Sequence, residues 1–259
     1  MTPSSTNRAW RKFGEEDPYF GVLSQPRFRQ EAITEKDLEA FFQSGEEYVD
    51  QMLAMASERV DAPRRFRNVL DFGCGVGRLT LPLAAHAENV LGVDISPSML
   101  SEARKNCEFQ GVTNAKFVES EAWMANSTER FDLVHTFIVL QHISPNSGFS
   151  VIANLMECLT DEGVGVIHLT YGKSQRGIRL ISWIKKWVPL AHNVINVLRG
   201  RPFRSPMMQM NDYDLNQVFQ LLQQSGVSDF HTQFTDHGGY LGVSLYFKKP
   251  AANSAALAA

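Results

Sequence analysis

The stretch Asn68-Val69-Leu70-Asp71-Phe72-Gly73-Cys74-Gly75-Val76-Gly77-Arg78 constrains this chain more than any other. An apolar run ends in an acid, three glycines follow at alternate positions, and a helix-like stretch runs from Leu79 to Ala87. That order describes a strand feeding a helix through a loop with no room for side chains. Glycine permits the positive φ such a turn needs and lets a ligand approach the bare backbone. The helix N-terminus then offers free N–H groups and a partial positive charge.

Dinucleotide-binding loops read G-x-G-x-x-G, which would place a glycine at position 78. This chain has Arg78 there, and its third glycine arrives one residue early. The segments downstream of the loop decide between ligands. Val90-Leu91-Gly92-Val93-Asp94-Ile95 is a second apolar run ending in an acid, roughly 20 residues after Asp71, where a carboxylate is placed to take ribose hydroxyls. Ser96-Pro97 caps and starts a helix. Ala115 to Ala122 reads as a third strand running into a polar corner, and Phe131 to Phe137 as a fourth, continuing into Ile138-Val139-Leu140-Gln141-His142-Ile143. Taken together, these segments resemble the ordered motifs of the class I S-adenosylmethionine (SAM)-dependent methyltransferases. The likeness is to small-molecule members such as ubiquinone-biosynthesis and sugar O-methyltransferases, and it is close over residues 65–171.

The resemblance implies an α/β fold: a Rossmann-like, doubly wound, mostly parallel seven-stranded sheet with an antiparallel last strand. It also implies roles for particular residues. Asp71 would help hold the methionine ammonium, Gly73 and Gly75 would let the backbone close on SAM, and Cys74 is there because it is small. Asp94 would accept hydrogen bonds from both ribose hydroxyls. Glu121 and the Ala122 N–H would hold the adenine, and Ile95, Met99 and Phe137 would wall the adenine and methionine or serve as plain core. His142 is the first candidate for a general base, with loop packing as the other reading. Tyr171 and His237 are further catalytic candidates. No metal ligand set is expected.

The chain of 259 residues suits one α/β domain with a cap. Cys74, Cys107 and Cys158 form no C-x-x-C or other metal spacing, which points to a reducing compartment. No apolar leader and no span of about 18 apolar residues is seen, so a cytoplasmic protein is expected. A net charge of −3 and a pI near 6.2 argue against a nucleic-acid partner.

Residues 1–64 read as an N-terminal helical segment that covers the cofactor site. Its Trp10, Phe13, Tyr19 and Phe20 are too apolar for a free tail. Thr34 and Asp37 suggest a capping box that opens one helix, with a second from about Glu46 to Val60. Residues 65–249 form the SAM-binding domain. In it, Pro145-Asn146-Ser147-Gly148 is read as a turn, Phe149 to Leu159 as a helix and Gly163 to Tyr171 as a fifth strand. Asn211-Asp212 is read as the cap of a helix through Leu222, followed by the runs Val227 to Phe234 and Tyr240 to Phe247. Residues 250–259 read as a loose tail.

The insertion at about 173–205 carries eight basic residues, and no acid occurs between Gly163 and Asn211. Ile178, Ile181, Ile184, Trp187 and Val188 recur at helical spacing. It is either a solvated basic face or a cap that attracts an anionic acceptor or membrane headgroups. The sequence thus points to methyl transfer from SAM to a small molecule, at oxygen. The alternatives are a methyltransferase of a membrane-associated lipid intermediate and a SAM-binding protein of this fold without turnover. Nothing in the sequence fixes the acceptor or the oligomeric state.

Overall fold

The computed structural model describes residues 5–126, 128–174 and 208–251. The basic insertion beyond Ser174, including Lys185 and Lys186, lies outside the described residues, as does the tail from residue 252.

Seven strands make one sheet in the order β3-β2-β1-β4-β5-β7-β6. They are β1 (Phe66–Phe72), β2 (Ala87–Asp94), β3 (Ala115–Glu119), β4 (Phe131–Thr136), β5 (Leu159–Lys173), β6 (Phe230–Asp236) and β7 (Tyr240–Lys248). The β1, β2, β3, β4 and β5 pairings are parallel, and β7 pairs antiparallel with both β5 and β6. This is the doubly wound, mostly parallel sheet expected from the sequence. Its central strands read as near-continuous apolar runs because both faces are covered. On one face, helices α7 (Pro145–Glu157) and α8 (Leu215–Gln224) pack on Leu70, Phe72, Val134, Ile167 and Leu169. On the other, α3 (Glu35–Val60) and α4 (Thr80–Ala85) cover Val69, Val90, Leu133 and Val166.

Several local expectations need correction. The two helices expected between Thr34 and Val60 are one, α3. Thr34 Oγ1 accepts from Asp37 N–H and the Asp37 side chain takes the Thr34 N–H, the capping box read from sequence. The helix runs through Gly45 because it crosses the chain there at close range: a Cβ on Gly45 would lie 2.2 Å from the Arg78 carbonyl oxygen. The stretch read as a turn at Pro145 to Gly148 is the first turn of α7. Ser144 stands at its N-cap and Pro145 at its first position, where the missing N–H costs nothing. Asp214, rather than Asn211-Asp212, caps α8 and accepts from Asn216 N–H. Asn211 instead donates to the carbonyls of Gln141 and Ile143. The third strand ends at Glu119, and α6 (Ser120–Asn126) begins immediately. The first crossover helix is shorter than expected because β2 already starts at Ala87.

Before α3 lie α1 (Ser5–Glu16) and α2 (Pro18–Val22). Their Phe13 and Phe20 join Phe28, Phe41, Val76 and Met99 in a third apolar cluster. Both helices contact α5 (Pro97–Gln110), and Val22 of α2 reaches Gly75 in the loop that follows β1.

Candidate cofactor site

The loop after β1 is pinned to the end of β2. Gly73 and Cys74 both donate their N–H to the Val93 carbonyl, at 2.7 and 3.0 Å. Gly73 has φ +82°, and a Cβ there would lie 2.1 Å from Val139 Cγ2. The position therefore requires glycine on two counts. Cys74 is buried, and burial raises its thiol well above the ordinary value, so it is small rather than reactive.

Asp94, the last residue of β2, ties the loop to the next helix. Its Oδ2 accepts from Gly75 N–H at 3.0 Å and its Oδ1 from Ser96 N–H at 2.9 Å. Ser96 Oγ in turn caps α5. Burial pushes the Asp94 carboxyl up to about 6, against the opposing pull of the Ser96, Gly75 and Ile95 N–H groups. The native state thus binds this proton more readily than the unfolded chain, so acidification through pH 6 favours the protonated native form. A ligand that needs the ionised carboxylate loses affinity over the same range. Binding through the ribose hydroxyls is expected to be about tenfold weaker at pH 5 than at pH 7.5, as read by titration calorimetry with S-adenosylhomocysteine.

Asp71 is turned inward. Its Oδ2 accepts from Thr80 Oγ1 at 2.6 Å, and its Oδ1 lies 3.0 Å from His135 Nδ1. His135 Nε2 lies 3.2 Å from the Tyr48 hydroxyl. Sequence reading missed Thr80, His135 and Tyr48, because no motif links a residue of α3 to one of β4.

Ile95 is half-buried at the entrance to α5, while Met99 is buried beneath α1 and α2, beside Gly14 and Gly21. Glu121 and Ala122 stand exposed in the first turn of α6, and Glu121 pairs with Arg11 at 3.5 Å. Phe137 lies against Tyr48 at 4.1 Å, His168 at 5.0 Å and His237 at 5.8 Å between ring centroids. His237 sits in the β6–β7 turn with its Nε2 buried and without a hydrogen-bond partner. His142 lies elsewhere, under Trp10 at 4.7 Å. Its Nδ1 is 2.7 Å from the Gln209 carbonyl and so carries the proton, and burial holds its pKa down to about 4. Tyr171 sits where β5 changes register, packed on Phe234. The three catalytic candidates therefore fall in different surroundings, and His237 alone shares Phe137's cluster.

Ile138 carries φ +59°, which is costly for a β-branched residue. This bend delivers Val139 into the space above Gly73. Ile138→Asn, which tolerates the left-handed region, is expected to raise stability by up to about 1 kcal/mol in urea unfolding.

The N-terminal helices sit directly over these groups. Val22 Cγ2 is 2.6 Å from a Cβ built on Gly75, and Ser96 Oγ is 2.1 Å from one built on Gly14. The Tyr19 hydroxyl is 3.0 Å from both Glu102 and Asn106 of α5. A shallow groove of about 470 Å³ lined by Asp50, Arg64 and His86 lies at the opposite end of the strands, away from the glycine loop.

Residues 69–163 match the sequence profile of a family described as "Methyltransferase domain". The match runs from β1 into β5. Among solved structures, magnesium protoporphyrin IX methyltransferase from Synechocystis with bound SAM is similar at 18% identity and a TM-score of 0.59, covering 96% of this chain and 99% of that one. The N-methyltransferase NodS from Bradyrhizobium japonicum is similar at 14% identity and a TM-score of 0.57, over 95% and 100%. A ubiquinone biosynthesis O-methyltransferase from Cereibacter sphaeroides is 29% identical over 153 residues, 55% of this chain and 60% of that protein. A tRNA/tmRNA (uracil-C(5))-methyltransferase from Campylobacter concisus is 39% identical over 83 residues, 32% of this chain and 22% of that protein. The chain thus spans 60% or less of these curated relatives' lengths. No helix among the described residues is long and apolar enough to cross a membrane.

Proposed function

We propose that this protein is a SAM-dependent methyltransferase acting on a small-molecule acceptor, at oxygen. The observation that carries the reading is the Asp94 carboxylate, held by Gly75 and Ser96 N–H groups beside a glycine loop that no side chain could replace. When bound, SAM supplies a methyl group already activated by its sulfonium. The residues present fit it: Asp94 accepts from vicinal hydroxyls, Gly73 and Gly75 admit the backbone's close approach, and Asp71 serves the ammonium. Glu121 with Ala122 holds the adenine, and Ile95, Met99 and Phe137 border it. Helices α1 and α2 cover the bound cofactor and exclude water, as methyl transfer requires.

An alcohol acceptor gains from a base whose pKa lies near the working pH. Burial counts against His142, dropping it to about 4 despite the opposing hydrogen bond from Nδ1–H to the Gln209 carbonyl. Burial lowers His237 as well, but it keeps an unpartnered nitrogen beside Phe137, and that free nitrogen favours it as the base. Tyr171, packed on Phe234, is the weaker alternative. Oxygen as the acceptor atom is supported by the likeness to the ubiquinone-biosynthesis enzyme. An acidic pI and three buried free cysteines favour a small-molecule acceptor in a reducing cytoplasm over nucleic acid. The basic insertion is read as attracting an anionic acceptor, or as a weak contact with a membrane surface for a lipid intermediate.

The test is calorimetry with SAM, S-adenosylhomocysteine and NAD, followed by transfer of labelled methyl from SAM to a panel of hydroxylated acceptors. Binding of both sulfur nucleosides but not NAD, with label appearing on an acceptor oxygen, supports the reading. NAD binding in their place ends it.

A further inference from the structure

Two imidazoles from distant parts of the chain share the Phe137 ring. His168 of β5 and His237 of the β6–β7 turn have ring centroids 5.2 Å apart, and each is steeply inclined to Phe137. His168 is 1% exposed, and its Nδ1 is buried with no hydrogen-bond partner among the described residues. His237 Nε2 is orphaned in the same way. An unmade hydrogen bond at a buried polar atom costs about 1–3 kcal/mol, so two in one ring cluster point to a ligand. Burial, and then the neighbouring His237 and His135, hold His168 down to about 3, and burial lowers His237 too. Both rings are therefore neutral near pH 7, each with one nitrogen that donates and one that accepts.

Both rings are held in place from behind. Strand β7 lies between β5 and β6, yet His168 Nε2 on β5 and Thr235 Oγ1 on β6 are 2.9 Å apart. They meet over Gly242 of β7, where a Cβ would lie 2.4 Å from Thr235 Oγ1 and 2.6 Å from His168 Nε2. Glycine weakens a strand interior and is found there where other groups approach closely. At Gly242 those groups are this pair. The turn that carries His237 is tied down as well. Gly239 N–H donates to Asp236 Oδ1 at 2.6 Å, and Ser174 N–H, just beyond β5, donates to the Gly239 carbonyl at 2.9 Å.

We propose that His168 Nδ1 and His237 Nε2 together hold one neutral hydroxyl group of the acceptor, and that Thr235 is a positioning residue that sets the His168 tautomer for it. The inference rests on the reading of His237 as the base; His168, Thr235 and the kind of acceptor group are what it adds. A hydroxyl both donates and accepts, so a single oxygen can meet both nitrogens. The 5.2 Å between ring centroids is comparable with the reach of two hydrogen bonds of about 2.8 Å through one oxygen. His237 accepts the hydroxyl proton only if its Nε2 is bare, and His168 must then donate from Nδ1. That leaves His168 Nε2 to accept from the Thr235 hydroxyl. A carboxylate only accepts and an ammonium only donates, so in these tautomers each leaves one nitrogen unmet. Each would also bring a charge to a place where burial disfavours it.

The test is NMR on the full chain with ¹⁵N-labelled histidine, with and without S-adenosylhomocysteine, using phenol, benzoate and benzylammonium as probes. In the wild type His168 is expected as the Nδ1–H tautomer and His237 with Nε2 bare. Phenol should move the ¹⁵N shifts of both nitrogens, and the two charged probes should not. Thr235→Val removes the donor and is expected to mix the His168 tautomers. It should weaken phenol by about 3- to 10-fold, as for one neutral hydrogen bond, with S-adenosylhomocysteine affinity unchanged. Thr235→Ser should restore the tautomer and the phenol affinity together. A wild-type His168 protonated at Nε2, or benzoate that moves both rings as phenol does, overturns the proposal. So does a Thr235→Val that binds phenol as the wild type does, since that marks the bond as merely structural. Should Thr235→Val not fold, the wild-type spectra decide alone. Phenol silent at both rings in a chain that binds S-adenosylhomocysteine refutes this inference and spares the cofactor reading. Phenol held by both rings in a chain that does not bind it keeps the hydroxyl site and removes the cofactor reading.

Discussion

Replacing Asp94 by alanine is expected to weaken S-adenosylhomocysteine binding by roughly 10²- to 10³-fold and leave the fold standing. Hydrogen bonds to an ionised acceptor contribute about 1.5–3 kcal/mol each, and two vicinal hydroxyls would meet this carboxylate. Stability changes little because two effects oppose. The variant loses the acceptor for Gly75 and Ser96 N–H, but it also loses a carboxylate whose charged form burial disfavours. A net change within about 1 kcal/mol moves the melting point by only a few degrees. Calorimetry and a thermal scan on the same sample separate the two quantities. Asp94→Asn sharpens the result: it keeps one acceptor oxygen but turns an NH₂ toward the other backbone donor or the ligand, so it should bind nearly as poorly. Wild-type affinity in Asp94→Ala would end the ribose assignment.

The parts of this molecule that were legible in advance are those whose physics is local. Glycine spacing, apolar runs ending in Asp71 and Asp94, and Ser96-Pro97 at a helix start each arise from backbone chemistry within a few residues, and together they imply the parallel sheet. Boundaries failed where a distant contact overrode a local signal. The two helices expected between Thr34 and Val60 join through Gly45, which lies against Arg78's carbonyl, and Asn211 reads as a cap until its side chain is found on the Gln141 and Ile143 carbonyls. The site's second layer was invisible for the same reason. His135 in sequence is a polar residue inside a strand, with nothing to say that Asp71 lies level with it on β1 and Tyr48 beyond it on α3. His142 shows the converse. Its sequence context suggests a base, but burial, which nothing nearby in the sequence encodes, lowers its pKa to about 4 against the opposing pull of the Gln209 carbonyl.

Gly73→Ala is expected to cost about 2–4 kcal/mol and to abolish measurable cofactor binding. A φ of +82° is unfavourable by about 1 kcal/mol once a Cβ is present, and the added carbon would lie 2.1 and 2.7 Å from the two Val139 methyls, an overpacking worth about 1–3 kcal/mol. The loop cannot simply slide away, because Gly73 and Cys74 share the Val93 carbonyl and Val139 is held by the left-handed bend at Ile138. The steric and conformational parts can be separated with Val139→Ala. That change removes both methyls and leaves the Val139 Cβ at 2.9 Å, so in the Gly73→Ala background it should recover most of the overpacking and none of the φ cost. Urea unfolding of the wild type, both single variants and the double variant should therefore give a coupling of about 1–3 kcal/mol in favour of the double. Additive losses would mean that the loop relaxes away from Val139. The bend at Ile138 would then no longer be what holds residue 73 to glycine, and the backbone's positive φ would have to carry that requirement alone.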